Sequence, residues 1–182
     1  MKKFVATTLA LLLLAGCASA SNKKSANIKT GLGVITSIES STDATAGKDG
    51  NAQVDSVIAA VTLDADGKLA KVYLDSAQTK IGFNATGLLT TDKTSEVKTK
   101  KEIGTGYGMV KASKIGKEWY QQAEAFESWA TGKTVDEVNK LKVKQTDAQH
   151  TAVPDVAELT SSVTISVGDF QKAIAKAAAN AK

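Results

Sequence analysis

The chain reads as an α+β domain, an antiparallel sheet built from β-hairpins with helices in the C-terminal half and a strand-to-helix finish. Three observations predict it. Apolar residues alternate on both sides of Asp66-Gly67, Trp119, Ala123, Phe126 and Ala130 fall at helical spacing, and an alternating Thr160–Val167 segment runs into a last apolar-faced helix. Residues 30–182 are long enough for one domain with a sizeable core.

From Gly31 to Ser40, Leu32, Val34, Ile35 and Ile38 predict a strand, and the polar Ser41–Gly50 stretch predicts a turn. Val57, Ala59, Val61 and Leu63 occupy alternate positions of a second strand. Asp66-Gly67 then supplies positive-φ turn residues, and Leu69 to Asp75 returns with Val72 and Leu74. Ile81-Gly82-Phe83 and Leu88-Leu89-Thr90 flank the four-residue loop Asn84–Gly87, which predicts a second hairpin.

The pattern changes after Gly116. Residues 117–130 predict an amphipathic helix, with Glu118, Gln121, Glu124 and Glu127 opposite the apolar stripe. Thr134 and Glu137 form a Thr-x-x-Glu capping box for a short helix through about Leu141. Pro154, the one proline, is expected in a loop before a strand over Thr160–Val167. Asp169 is expected to cap a last helix in which Phe170, Ile174, Ala177 and Ala181 share a face.

The start of the chain predicts where the protein resides. Lys2 and Lys3 precede the uncharged apolar run Phe4–Leu14, which is a secretory leader too short to span a bilayer. Leu14-Ala15-Gly16-Cys17 matches the lipobox of bacterial lipoproteins. Residues 1–16 are therefore expected to be a signal peptide, Cys17 to carry the lipid, and residues 17–29 to be a flexible tether. The expected location is the cell membrane, lipid-anchored on its extracytoplasmic face. A lipobox occurs in both Gram-positive and Gram-negative bacteria, and Ala18 is not the aspartate associated with inner-membrane retention, so an outer-membrane location is compatible with a Gram-negative host.

Composition removes several function classes. Without the leader the balance is 21 lysines against 19 acids, and no arginine is present anywhere to fork onto phosphate or base edges, so nucleic acid is not expected as a partner. One cysteine and one histidine, His150, cannot build a thiolate or multi-histidine metal site. No His-Asp partner pattern supports a serine hydrolase, and His150 is expected to be a solvated loop residue. Gly132-Lys133-Thr134 lacks the earlier glycine of a phosphate-binding loop, because Glu127 stands there.

Two features are candidates for ligand contact. In Gly104-Thr105-Gly106-Tyr107-Gly108, three alternating glycines let backbone amides approach a ligand and Tyr107 can stack on a ring, although a turn between sheet and helix is the simpler explanation of the glycines. Four of the nine aromatics lie within residues 119–129: Trp119 and Phe126 belong to the core stripe, whereas Tyr120 and Trp129 lie off it and are candidates to line a pocket.

In Thr160–Val167, Ser162, Thr164 and Ser166 alternate with Ser161, Val163, Ile165 and Val167, which predicts a row of hydroxyls on the solvent side of a strand ending near a helix N-terminus. The segment Glu158-Leu159-Thr160-Ser161-Ser162-Val163-Thr164-Ile165-Ser166 resembles the end of FMN-binding domains, found in the flavin-carrying subunits of sodium-pumping NADH:quinone reductase and Rnf complexes and in extracellular lipoproteins. That family has an acidic residue and then Ser-Gly-Ala-Thr-x-Thr, with FMN commonly joined by a phosphoester bond to the threonine after alanine. The resemblance puts Glu158 at the acidic position, Ser161 at the serine, Thr164 at the flavin-accepting threonine and Ser166 at the last hydroxyl, with Ser162 and Val163 in place of Gly-Ala. It implies FMN as cofactor, Thr164, Ser161, Ser162 and Ser166 as contacts, and redox partners at the membrane. Gly106, Tyr107 and Gly108 are then ring-side candidates. A flavin-free member acting as a binding or structural lipoprotein of the envelope is the alternative, because both replacements are larger than the Gly-Ala pair.

Overall fold

The computed structural model describes residues 28–182. The leader, Cys17 and all but the end of the tether lie outside the described residues.

Strands β1 (Lys29–Ser37), β2 (Gly50–Leu63) and β3 (Leu69–Phe83) form an antiparallel sheet in the order β1-β2-β3. The β2–β3 connection differs in detail from the two-residue turn expected. Gly67 alone in this loop takes positive φ, at 75°, and the loop closes through Asp64 N–H to Lys68 O at 2.9 Å. The Asp64 carboxylate accepts from the N–H groups of Asp66 and Lys68, so the sequence-local hydrogen bonds of an Asx turn replace a second positive-φ residue. The second hairpin is present but short: Asn84 N–H donates to Leu88 O, and Phe83 pairs with Leu89 in a single bridge.

Helices follow as α1 (Lys100–Ile103), two 3-10 turns (Gly104–Tyr107 and Met109–Lys111), α2 (Trp119–Ala130) and α3 (Val135–Asn139). A two-stranded ladder, β4 (Val143–Lys144) with β5 (Val153–Pro154), then leads to α4 (Ala157–Thr160) and α5 (Gly168–Ala179). The architecture is α+β, as the sequence predicts.

Helices α2 and α5 cover one face of the sheet, where Ala59, Val61, Leu69, Val72 and Leu74 meet Trp119, Phe126, Phe170 and Ile174. Phe170 sits between Trp119 and Phe126 with ring centroids 5.8 and 5.7 Å away, the separations of edge-on and tilted aromatic pairs. On β1 the buried face is made by glycine: Gly31 and Gly33 are buried while Leu32 is 57% exposed. A Cβ at either glycine would collide with the α5 backbone at Ala177 O or Ala173 O, so the helix approaches the strand at a distance only glycine permits. The capping box of α3 forms as expected, with Glu137 N–H donating to Thr134 Oγ1 and Thr134 N–H to Glu137 Oε2.

Two expectations near the C-terminus are corrected. Thr160–Val167 is not a strand: it closes α4 and continues as irregular chain, with Pro154 in β5 instead of a loop. Val163, Ile165 and Val167 are nevertheless buried and Ser162, Thr164 and Ser166 half-buried, because an extended chain alternates its side chains whether or not a neighbour pairs with it. Asp169 does not cap α5. Val167 is the N-cap, and Asp169 stands in the first turn paired with Lys172 at 2.8 Å.

Candidate functional site

A cleft of about 310 Å³ opens where three stretches of chain converge. One wall is made by Met109 and Ala112 to Lys114, a second is the β4–β5 hairpin with Lys144, Asp147, His150, Val153 and Pro154, and the third is Thr160 with Val163 to Ile165. Apolar Met109, Val153, Pro154 and Ile165 stand among hydroxyls and two lysines, a lining of apolar side chains with a few polar groups such as small-molecule sites have.

The first wall is tied to α2. Glu118, buried at the N-cap of that helix, accepts from Met109 N–H at 2.8 Å and from Val110 N–H at 3.3 Å, so its carboxylate satisfies the free amides of the 3-10 turn. Gln122, one helical turn further on, is fully buried and joins the first wall to the third. Its Nε2 donates to Lys117 O at 3.2 Å and to Ser113 Oγ at 3.3 Å, while its Oε1 accepts from Thr164 N–H at 2.8 Å and from Thr164 Oγ1 at 3.2 Å. The Lys117 carbonyl can only receive and the Thr164 amide can only give, so the orientation of the Gln122 amide follows from its partners. Thr164 therefore turns its hydroxyl proton toward Gln122.

The second wall carries a histidine–aspartate pair. The ring Nδ1 of His150 lies 2.7 and 2.8 Å from the two Asp147 carboxylate oxygens, and Asp147 also accepts from Gln149 N–H and His150 N–H. Partial burial pushes the Asp147 carboxyl up, but the His150 ring and these backbone donors outweigh it and hold it below the ordinary aspartate range. His150 is thus the solvated loop residue expected, here oriented by Asp147 at the cleft wall. No hydroxyl among the described residues hydrogen-bonds its other ring nitrogen, so the pair lacks a serine or threonine in the arrangement a hydrolase needs. Below it, hydrogen bonds from Lys144 and Lys142 hold the Asp155 carboxyl below its ordinary range.

The residues singled out from the sequence are only partly brought together. Thr164 lines the cleft; Ser161, Ser162 and Ser166 do not. Ser162 Oγ donates back to Leu159 O, and Ser166 Oγ accepts from Ala152 N–H, which bind these hydroxyls to local structure. Gly106, Tyr107 and Gly108 belong to a tight 3-10 turn and its cap, with Tyr107 packed against the core and Lys100 Nζ 5.1 Å from its ring centre. They also lie outside the cleft lining. Tyr120 and Trp129 pack against the core instead of lining this cleft, because the face beside the buried stripe is covered too.

Sequence reasoning missed Gln122, Ser113 and the β4–β5 hairpin. A glutamine within an otherwise apolar helical stripe was the available signal for the first of these, since a buried amide must find partners.

No family model matches the chain, and no solved structure matches it. A stretch of 50 residues is 46% identical to part of chlorophenol reductase from Desulfitobacterium hafniense. The match covers 28% of this chain and 15% of that protein.

Proposed function

We propose that this protein is a lipid-anchored, extracytoplasmic flavin carrier that holds FMN at Thr164 and exchanges electrons with redox partners at the membrane. The observation that supports the reading most directly is that Thr164, the residue the flavin motif singles out, lines this cleft with its hydroxyl oriented by a buried amide. The cleft also suits the group. At about 310 Å³ it lies at the small end of ligand sites, enough to enclose a ring system while the remainder stays at the surface. Met109, Val153, Pro154 and Ile165 offer the ring an apolar bed, and Lys114 and Lys144 offer charge to its phosphate. When bound, FMN supplies the electron chemistry; the chain binds it, orients it and limits its contact with water. The fifty-residue likeness is to 15% of a protein named as a reductase and speaks neither to flavin nor to partner.

The test is the intact mass and in-gel flavin fluorescence of the chain exported together with a flavin transferase. One FMN is expected on the wild type and none on Thr164→Ala. Unmodified mass with no bound flavin overturns the reading in favour of a flavin-free binding or structural lipoprotein. That second reading has one observation behind it: Ser162 and Val163 exceed the Gly-Ala pair in size, and Val163 is fully buried where it stands.

A further inference from the structure

We infer that Gln122 is the positioning residue that makes Thr164, among the hydroxyls of residues 160–166, the acceptor of the flavin phosphate; the inference rests on the flavin reading above. Motif spacing cannot supply this selectivity, because Thr160, Ser161, Ser162, Thr164 and Ser166 crowd into seven consecutive positions. The hydrogen bonds can. Thr160 Oγ1 donates to Ala157 O and Ser162 Oγ to Leu159 O, each at 3.3 Å, so both turn back onto α4. Ser166 Oγ is occupied by Ala152 N–H at 3.3 Å, and Thr164 is the one held by a buried side chain of another element, by Gln122 Oε1 at its amide and its hydroxyl, 42 residues away in sequence.

Gln122 can hold this geometry because its own freedom is removed. It is fully buried, and its Nε2 is anchored by Lys117 O and Ser113 Oγ. With the Thr164 proton directed toward Gln122, the remaining lone pairs of Oγ1 are left for a bond on another side. Attachment requires an activated donor, a flavin dinucleotide presented by the transferase. Thr164 Oγ1 forms a bond to the flavin-side phosphorus, the phosphoanhydride bond to the nucleotide breaks, and a nucleoside monophosphate leaves with the electron pair. The threonine proton is released to solvent, and no atom changes oxidation state. Correct placement of the attacking oxygen is where such a step gains most of its rate.

The experiment is peptide mass mapping of flavin on the full chain co-expressed with the transferase, normalised to folded protein. Gln122→Met preserves length and removes both hydrogen-bonding ends; occupancy at Thr164 is expected to fall at least tenfold, with any residual flavin moving to Thr160 or Ser162. Gln122→Glu keeps an acceptor and is expected to load Thr164 better than Gln122→Met. Val138→Ala, a core truncation in α3 away from the cleft, controls for lost stability and is expected to retain wild-type occupancy. The inference is overturned if Gln122→Met loads Thr164 like the wild type, if Glu does no better than Met, or if Val138→Ala loses flavin as stability falls. A wild-type chain with no flavin at any position overturns the flavin reading itself.

Discussion

The β2–β3 ribbon lies in two different environments along its length. From Val57 to Ser76 it is covered by α2 and α5, and its inward side chains Ala59, Val61, Leu69, Val72 and Leu74 are buried. Beyond them, Gly50–Ser56 paired with Ala77–Phe83 meets mainly its own connecting loops, and apolar residues there and on the following loop stay in water: Leu88 is 66% exposed and Leu89 52%. The bonds differ accordingly. The covered half is held by close helix-to-strand packing and by an ion pair, Lys101 Nζ to Glu127 Oε1 at 2.7 Å, whose side chains are only 12% and 13% exposed. Glu127 Oε1 also accepts from Leu74 N–H, and Lys101 Nζ lies 3.9 Å from the Tyr73 ring centre. The far half is held by short-range polar contacts, such as Asp55 accepting from Gln53 and Gln78 and Asn84 from Thr86 and Leu88. Pairing alone gives a ribbon its register, whereas burial gives it stability.

Three substitutions sharpen that contrast. Gly33→Ala pushes α5 off β1 and is expected to cost about 3 kcal/mol in urea unfolding, because a backbone has no rotamer with which to yield. Glu127→Ala leaves Lys101 and Leu74 N–H without their acceptor; a loss of about 2 kcal/mol is expected, somewhat under the value for a fully buried pair because a little water reaches the site. Leu89→Ser on the exposed loop is expected to change stability by less than about 0.5 kcal/mol in the same assay. Equal losses at Leu89 and Gly33 would show that the far half is as strongly held as the covered half.

The same distinction explains what could be read without a structure. The periodic stripe of Trp119, Ala123, Phe126 and Ala130, the Thr134–Glu137 capping box and the first hairpin are signals carried by neighbours in sequence, and each appears where expected. Val163, Ile165 and Val167 also alternate inward as their pattern implies, but the strand inferred from them does not form, since alternation reports burial and a strand needs a partner. Leu32, Val34, Ile35 and Ile38 mark β1 as a strand, yet Gly31 and Gly33 are its buried residues, because the approach of α5 is settled far later in the chain.

The amino-acid sequence by itself determined the fold class, the first hairpin and the α2 core stripe. Local chemistry sufficed for these. Tertiary structure alone decided that Ser113, Gln122 and Thr164 share one network, that His150 pairs with Asp147 at the same cleft, and that the glycine-rich turn stands apart from it. A hydrogen bond between residues 42 positions apart has no periodicity to announce it; it exists because the packing of α2 leaves one buried amide facing one extended segment.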